Sequence, residues 1–267
     1  MLMPTPTRRV LAFLAGFIAV TAWTIATVTP PAAKAADDYQ GTWRINYLTS
    51  TSIDLGLSYH NDHSSWEMSD SVPFDERAFH GLTLDDIKSA KGVKHFQIVR
   101  DAGAFDCNGY FASGIGSGVF AFAPSAAFAD ALDSRGLGRP DVKDQFELAL
   151  SNVTLAMVDG LRSAGVTGLS AKALVNLANH DVNAKYVAGL KANGVHATSV
   201  DDLVRLRDHD VAPDYIAGLA RDGYHPSVDD LVRLRDHDVS LDFISRLQAH
   251  GYHPSIEDLI RLRDSGM

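Results

Sequence analysis

Histidine beside aspartate carries the first chemical suggestion in this chain. His180-Asp181, His209-Asp210 and His237-Asp238 each set an imidazole next to a carboxylate, the pair a hydrolase uses to orient a general base. Metal binding is the second suggestion. His60 and His63 form an H-x-x-H pair with Asp62, Glu67 and His80 nearby, and imidazole with carboxylate is good zinc chemistry. The third is a glycine cluster, GIGSG at 114–118, of the kind that can cradle phosphate.

Each suggestion meets a plainer one. The His-Asp pairs recur at one place in a repeating pattern, which points to a helix-end charge or a tie to the next copy. The stretch around His60 and His63 reads as a loop between strands, whereas metal helices hold ligands at i and i+4 with a glutamate between them. After GIGSG comes another strand-like run, VFAFAP, where a dinucleotide loop needs a helix, so a hairpin is expected. Catalytic residues and cofactors are therefore not assigned. His60, His63 and His80 remain as metal candidates only.

The elements that would position these groups come mostly from repetition. The segments 153–181, 182–210, 211–238 and 239–267 are four copies of one pattern with a period of 28 or 29 residues, the mark of a repeat array rather than a single-core globule. Each copy reads as two short helices. Thr154, Asn183 and Ser240 suit the cap of the first, and Ala212 followed by Pro213 replaces them in the third copy. Gly165, Gly194, Gly223 and Gly251 suit its stop. Ser170, Ser199, Ser227 and Ser255 cap the second helix, with Asp202, Asp230 and Asp258 three residues on in an aspartate version of the capping box. Helices this short are marginal alone, so the copies must stack.

Stacking would align Arg205, Arg233 and Arg261 into a row on one surface, the way solenoids build extended binding faces. These three are the partner-binding candidates. Each also stands four residues after an acid, Asp201, Asp229 or Glu257, in the favourable order for an ion pair within one helix. Arg207, Arg235 and Arg263 flank the apolar stripe and are expected to brace neighbouring copies.

Ahead of the repeats the period changes. TWRINYL at 42–48 and SIDLGLSY at 52–59 alternate like half-buried strands, and 64–68 resembles a third. Thr83 caps a short helix, and His95–Arg100 and the glycine-punctuated 104–124 supply further strands. A small antiparallel sheet, as a roll or sandwich, is expected, closed by the helix SAAFADALDSRG near Gly136. The fold class is thus α+β: a β-rich domain over 37–138, then an α-hairpin repeat array of α-solenoid type over 139–267, with 141–152 as a worn half-repeat at its start. Cys107, the single cysteine, is expected as a small buried hydrophobe.

The first 36 residues read as an export signal: Arg8 and Arg9, an apolar run from Val10 to Val28, and a small-residue site at Ala33-Lys34-Ala35. The run is also long enough to stay uncleaved as an anchor. Loss of Arg8, Arg9 and Lys34 from the 24 basic residues leaves 21 against 33 acidic ones, a net of −12. That acidity argues against nucleic acid and against a polybasic membrane contact.

The cadence V-x-P-D-Y-I-x-x-L-x-x-x-G-Y, followed by L-S-V-D-D-L-V-x-L-R-x-H-D-V, resembles helical repeats of exported bacterial proteins, some fused to beta-lactam-sensor-type membrane metallopeptidases. The segment VRDAGAFDCNGYFASGIGSGVFAFAP is similar to one that accompanies them, and the resemblance spans about 40–267. The H-E-x-x-H peptidase motif is absent. The resemblance implies the accessory part without the enzyme. The expectation is a non-catalytic adaptor in the cell envelope, periplasmic or secreted, gripping a protein or peptide partner. Two alternatives stand beside it: an envelope hydrolase or metal-dependent enzyme using histidines of the β-rich domain, and a structural protein that self-associates through its terminal repeat.

Overall fold

The computed structural model describes residues 39–60 and 65–266. The expected export signal and His63 lie outside them. The described chain is α+β: a seven-stranded antiparallel sheet followed by a run of helices. The strands are β1 (Gln40–Tyr47), β2 (Ser52–His60), β3 (Ser65–Pro73), β4 (Phe79–His80), β5 (Gly92–Arg100), β6 (Gly103–Ala112) and β7 (Ile115–Pro124), with α1 (Leu84–Ser89) between β4 and β5. Their order across the sheet is β3-β2-β1-β7-β6-β5-β4. Alternation explains the strands: along β2, Ile53, Leu55, Leu57 and Tyr59 are buried and the residues between them are not.

β3 and β4 are opposite edges of the sheet, yet only the residues from Phe74 to Ala78 join them. Flat, seven strands would hold the edges about 29 Å apart, while the link can span about 21 Å. The sheet must therefore curl, and it does. The rings of Phe74, just past β3, and Phe79, in β4, stack at 5.1 Å. Of the two expected forms, the sheet is a single open roll.

The glycine cluster forms the predicted hairpin. Ala112 pairs with Ile115 across a two-residue turn in which Ser113 (φ 52°) and Gly114 (φ 83°) are both left-handed. Gly109 and Gly118 then face each other on β6 and β7, and the buried indole of Trp43 lies where a side chain on Gly109 would stand. Its Nε1 donates to the carbonyl of Val119 at 3.1 Å. One end of the roll is filled by α1, through the fully buried Ile87. The other receives Phe146, whose ring meets those of Tyr39, Tyr59, Phe105 and Phe122 at 4.8 to 6.2 Å.

Ten helices follow: α2 (Ala126–Ser134), α3 (Val142–Leu150), α4 (Leu155–Ser163), α5 (Ala171–Asn179), α6 (Ala184–Ala192), α7 (Val200–Asp208), α8 (Pro213–Arg221), α9 (Val228–Asp236), α10 (Leu241–Ala249) and α11 (Ile256–Asp264). They pack in two rows, α2-α4-α6-α8-α10 and α3-α5-α7-α9-α11. The predicted caps are all in place, Ala212 with Pro213 included. In the second helices the aspartate accepts the cap hydroxyl itself, Ser199 Oγ to Asp202 Oδ2 at 2.7 Å, instead of the cap N–H. The helical run also starts one helix earlier than the sequence suggests. α2 packs on α4, and Gly136 (φ 74°) ends it as Gly165 and Gly194 end theirs, so 141–152 is the second half of a full pair. Among the described residues, no helix is long and apolar enough to cross a membrane.

Candidate functional site

The His-Asp pairs resolve into structure. In each, histidine is the C-cap of a second helix and the aspartate after it stands in the left-handed region: Asp181 at φ 54°, Asp210 at 52° and Asp238 at 52°. There the aspartate bends the chain so that the following valine N–H reaches back, Val182 to the Leu177 carbonyl at 2.8 Å and Val211 to that of Leu206 at 2.9 Å. The imidazole turns away from its sequence neighbour. His180 bonds Asp208, His209 bonds Asp236, and His237 bonds Asp264 at 2.8 Å, each through Nδ1 to the next copy. These are ties between copies, and the acid that matters is the last residue of the next copy's second helix.

The candidate arginines are aligned but already occupied. Arg205 pairs with Asp229 at 2.5 Å and Arg233 with Glu257 at 2.6 Å, both across copies. This corrects the expectation of pairs within one helix: stacking brings the next copy's acid closer than the acid four residues back. Arg261 bonds Asp258 of its own helix at 2.5 Å. Together they form an exposed ladder of alternating charge, whose solvent-screened pairs add little to stability. Of Arg207, Arg235 and Arg263, expected to brace neighbouring copies, the last two do so. Arg235 and Arg263 donate back to carbonyls of the preceding copy, and all three lie over a ring of their own copy, Tyr186, Tyr215 and Phe243, at 5.2 to 5.9 Å.

Of the metal candidates, the two that lie among the described residues, His60 and His80, do not gather. His60 ends β2 beside Ser65, while His80 lies on β4, five places away in the sheet order. Among the described residues no three or more His, Cys, Asp or Glu side chains converge on a common point. Cys107 is fully buried, and burial with the nearby Asp106 charge pushes its thiol pKa well up, so it stays a protonated core side chain.

What the sequence did not reveal is a groove of about 900 Å³ where the open side of the roll meets the helices. One wall is β3 along its length. Trp66, Met68, Asp70 and Val72 share the parity of the inward-facing Tyr59, Leu57, Leu55 and Ile53 opposite them, so a carboxylate sits within an apolar strip. The far wall holds Phe79 and Arg100 from the other edge of the sheet, with Leu150, Asn179 and Asp181 from the ends of α3 and α5. Arg100 donates from Nη1 to Asn152 Oδ1 at 3.0 Å, its Nε is buried without a partner, and burial lowers its pKa. Glu67, Asp70 and Asp181 make no ion pair among the described residues, while Asp75 is held by Arg77. Asn179 also lines two adjoining recesses, one of about 260 Å³ beside Tyr59, Trp66 and Phe146 and one of about 710 Å³ running toward α7.

These residues are scattered from 66 to 183 in the chain and no motif unites them. The one local signal was Asp70 at an inward position of an apolar-alternating strand. No family model, no curated protein and no solved structure matches this chain.

Proposed function

We propose that this protein is a non-catalytic, exported adaptor of the bacterial envelope, whose helical run is an α-solenoid and whose partner is a protein or peptide. The observation that carries the reading is the groove: an apolar strip with a few unpaired polar groups, bounded by an open sheet edge and helix ends. Two rows of stacked helices, with the same caps, stops and cross-copy ties, support the solenoid. The histidines of the His-Asp pairs, which first suggested catalysis, serve as ties between copies. Because Arg205 and Arg233 are engaged with acids of the next copy and Arg261 with one of its own helix, the reading moves the partner from that row to the groove.

A crosslinking pull-down from the bacterial envelope tests this with three forms of the protein: unaltered, Asp70→Lys, and a triple Arg205→Ala, Arg233→Ala, Arg261→Ala. The expected result is one protein captured by the unaltered and triple forms and lost with Asp70→Lys. Capture lost only in the triple form would return the partner to the arginine row. Failure of all three to capture anything would overturn the adaptor reading.

A further inference from the structure

β3 has a neighbour on one side only. Which of its backbone groups are left open follows from the register. The N–H of Phe74 donates to the carbonyl of Thr51, directly opposite it, so that pair exchanges hydrogen bonds and every second pair along the ladder does likewise. Val72, Asp70, Met68 and Trp66 therefore spend their backbone groups on β2. Glu67, Ser69 and Ser71 point theirs at the groove side, together with the carbonyl of Pro73. Proline at that parity costs the ladder nothing, because its missing N–H would have faced outward.

Chemistry on the two sides of this edge is unequal. Three carboxylates with no ion pair among the described residues, Glu67, Asp70 and Asp181, stand along it, against Arg100, which is engaged by Asn152. Beyond the edge the roll is open, and its other edge, at β4 and β5, lines the same groove. An extended chain entering here would pair with β3, lay alternate side chains over Trp66, Met68 and Val72, and set a cation against Asp70.

We infer that the groove takes an extended peptide segment of a partner protein, which adds to β3 as an eighth strand and carries a lysine or arginine that meets Asp70. This rests on the groove being the docking site, and it names what docks.

The probe is a fluorescein-labelled heptapeptide, Val-Ser-Val-Ser-Lys-Ser-Val, compared with the same peptide carrying glutamate for lysine. Anisotropy with the purified protein is expected to favour the lysine peptide by about tenfold or more. Asp70→Asn should bring that preference below about threefold, and Ser71→Pro should weaken the lysine peptide about fivefold or more while leaving the melting temperature unchanged. In hydrogen exchange, the amides of Glu67, Ser69 and Ser71 should become protected on binding. The inference is overturned if neither peptide binds, if lysine and glutamate peptides bind alike, or if Ser71→Pro binds as the unaltered protein does. It is also overturned if the unaltered protein dimerises in sedimentation and Ser71→Pro abolishes the dimer, because the occupant of the edge is then a second copy. A partner captured in the envelope experiment, with no peptide binding here, would leave the adaptor reading standing and remove strand addition alone.

Discussion

Tyr186 and Tyr215 show how single side chains hold one copy to the next. Each phenol is buried and donates to the first valine carbonyl of the following copy, Tyr186 to Val211 at 3.0 Å and Tyr215 to Val239 at 2.7 Å. Burial pushes both phenols up to about 12, against the opposing pull of Arg207 and Arg235. With the folded pKa above the ordinary 10.0, their contribution is complete below that pH and is lost as pH rises through about 12. Tyr186→Phe and Tyr215→Phe should each cost about 1 kcal/mol at neutral pH, and the double variant should lose stability less steeply in alkali. Urea unfolding across that range measures both effects. An alkaline limb unchanged in the double variant would assign the pH dependence to other groups. The fourth copy has Phe243 at this place, Arg246 where Gly218 admits Leu241 in the copy before, and Ser265 where the other copies have the tying histidine. The forward-reaching devices thus fall away together in that copy.

Helix ends are where the element scale becomes testable. First helices stop at a glycine in the left-handed region, and the second helices α5, α7 and α9 stop there with aspartate at φ 52–54°. Asp210→Gly should therefore stabilise the protein by about 0.5–1 kcal/mol, and Gly223→Asp should destabilise it by about 1 kcal/mol, both read from thermal unfolding. Opposite signs are the expected result; like signs would mean that the aspartate carboxylate, not the backbone, decides these turns. Caps and stops were legible in the sequence because they are local: a serine, the helix after it and a glycine lie within about a dozen residues. The curl of the sheet was not, since it depends on β3 and β4 being opposite edges, which no alternation pattern states. β3 itself was read only as far as Met68, because Ser69-Asp70-Ser71 lacks strand-forming residues, yet pairing with β2 carries it to Pro73. α2 was assigned to the sheet domain for a similar reason. Its sequence shares little with the copies, and its place in the row comes from packing on α4.

At the scale of the whole molecule, sheet and helices share one core through Phe146, and the groove exists only because both are present. Its members were invisible as a group in the sequence: Trp66 and Asp70 come from an edge strand, Arg100 from the far side of the roll, and Asn179 and Asp181 from a helix end. By contrast the arginine row was legible from the period alone, and what stacking added was its neutralisation by the next copy's acids. The account therefore turns on where a partner touches the protein. The direct measurement is photo-crosslinking in living cells with a benzophenone side chain placed singly at Met68 in the groove, at Arg233 on the ladder, or at Val119 on the exposed outer face of the sheet. The account predicts a discrete adduct from position 68 and none from 233 or 119. An adduct from 233 or 119 with none from 68 would contradict it.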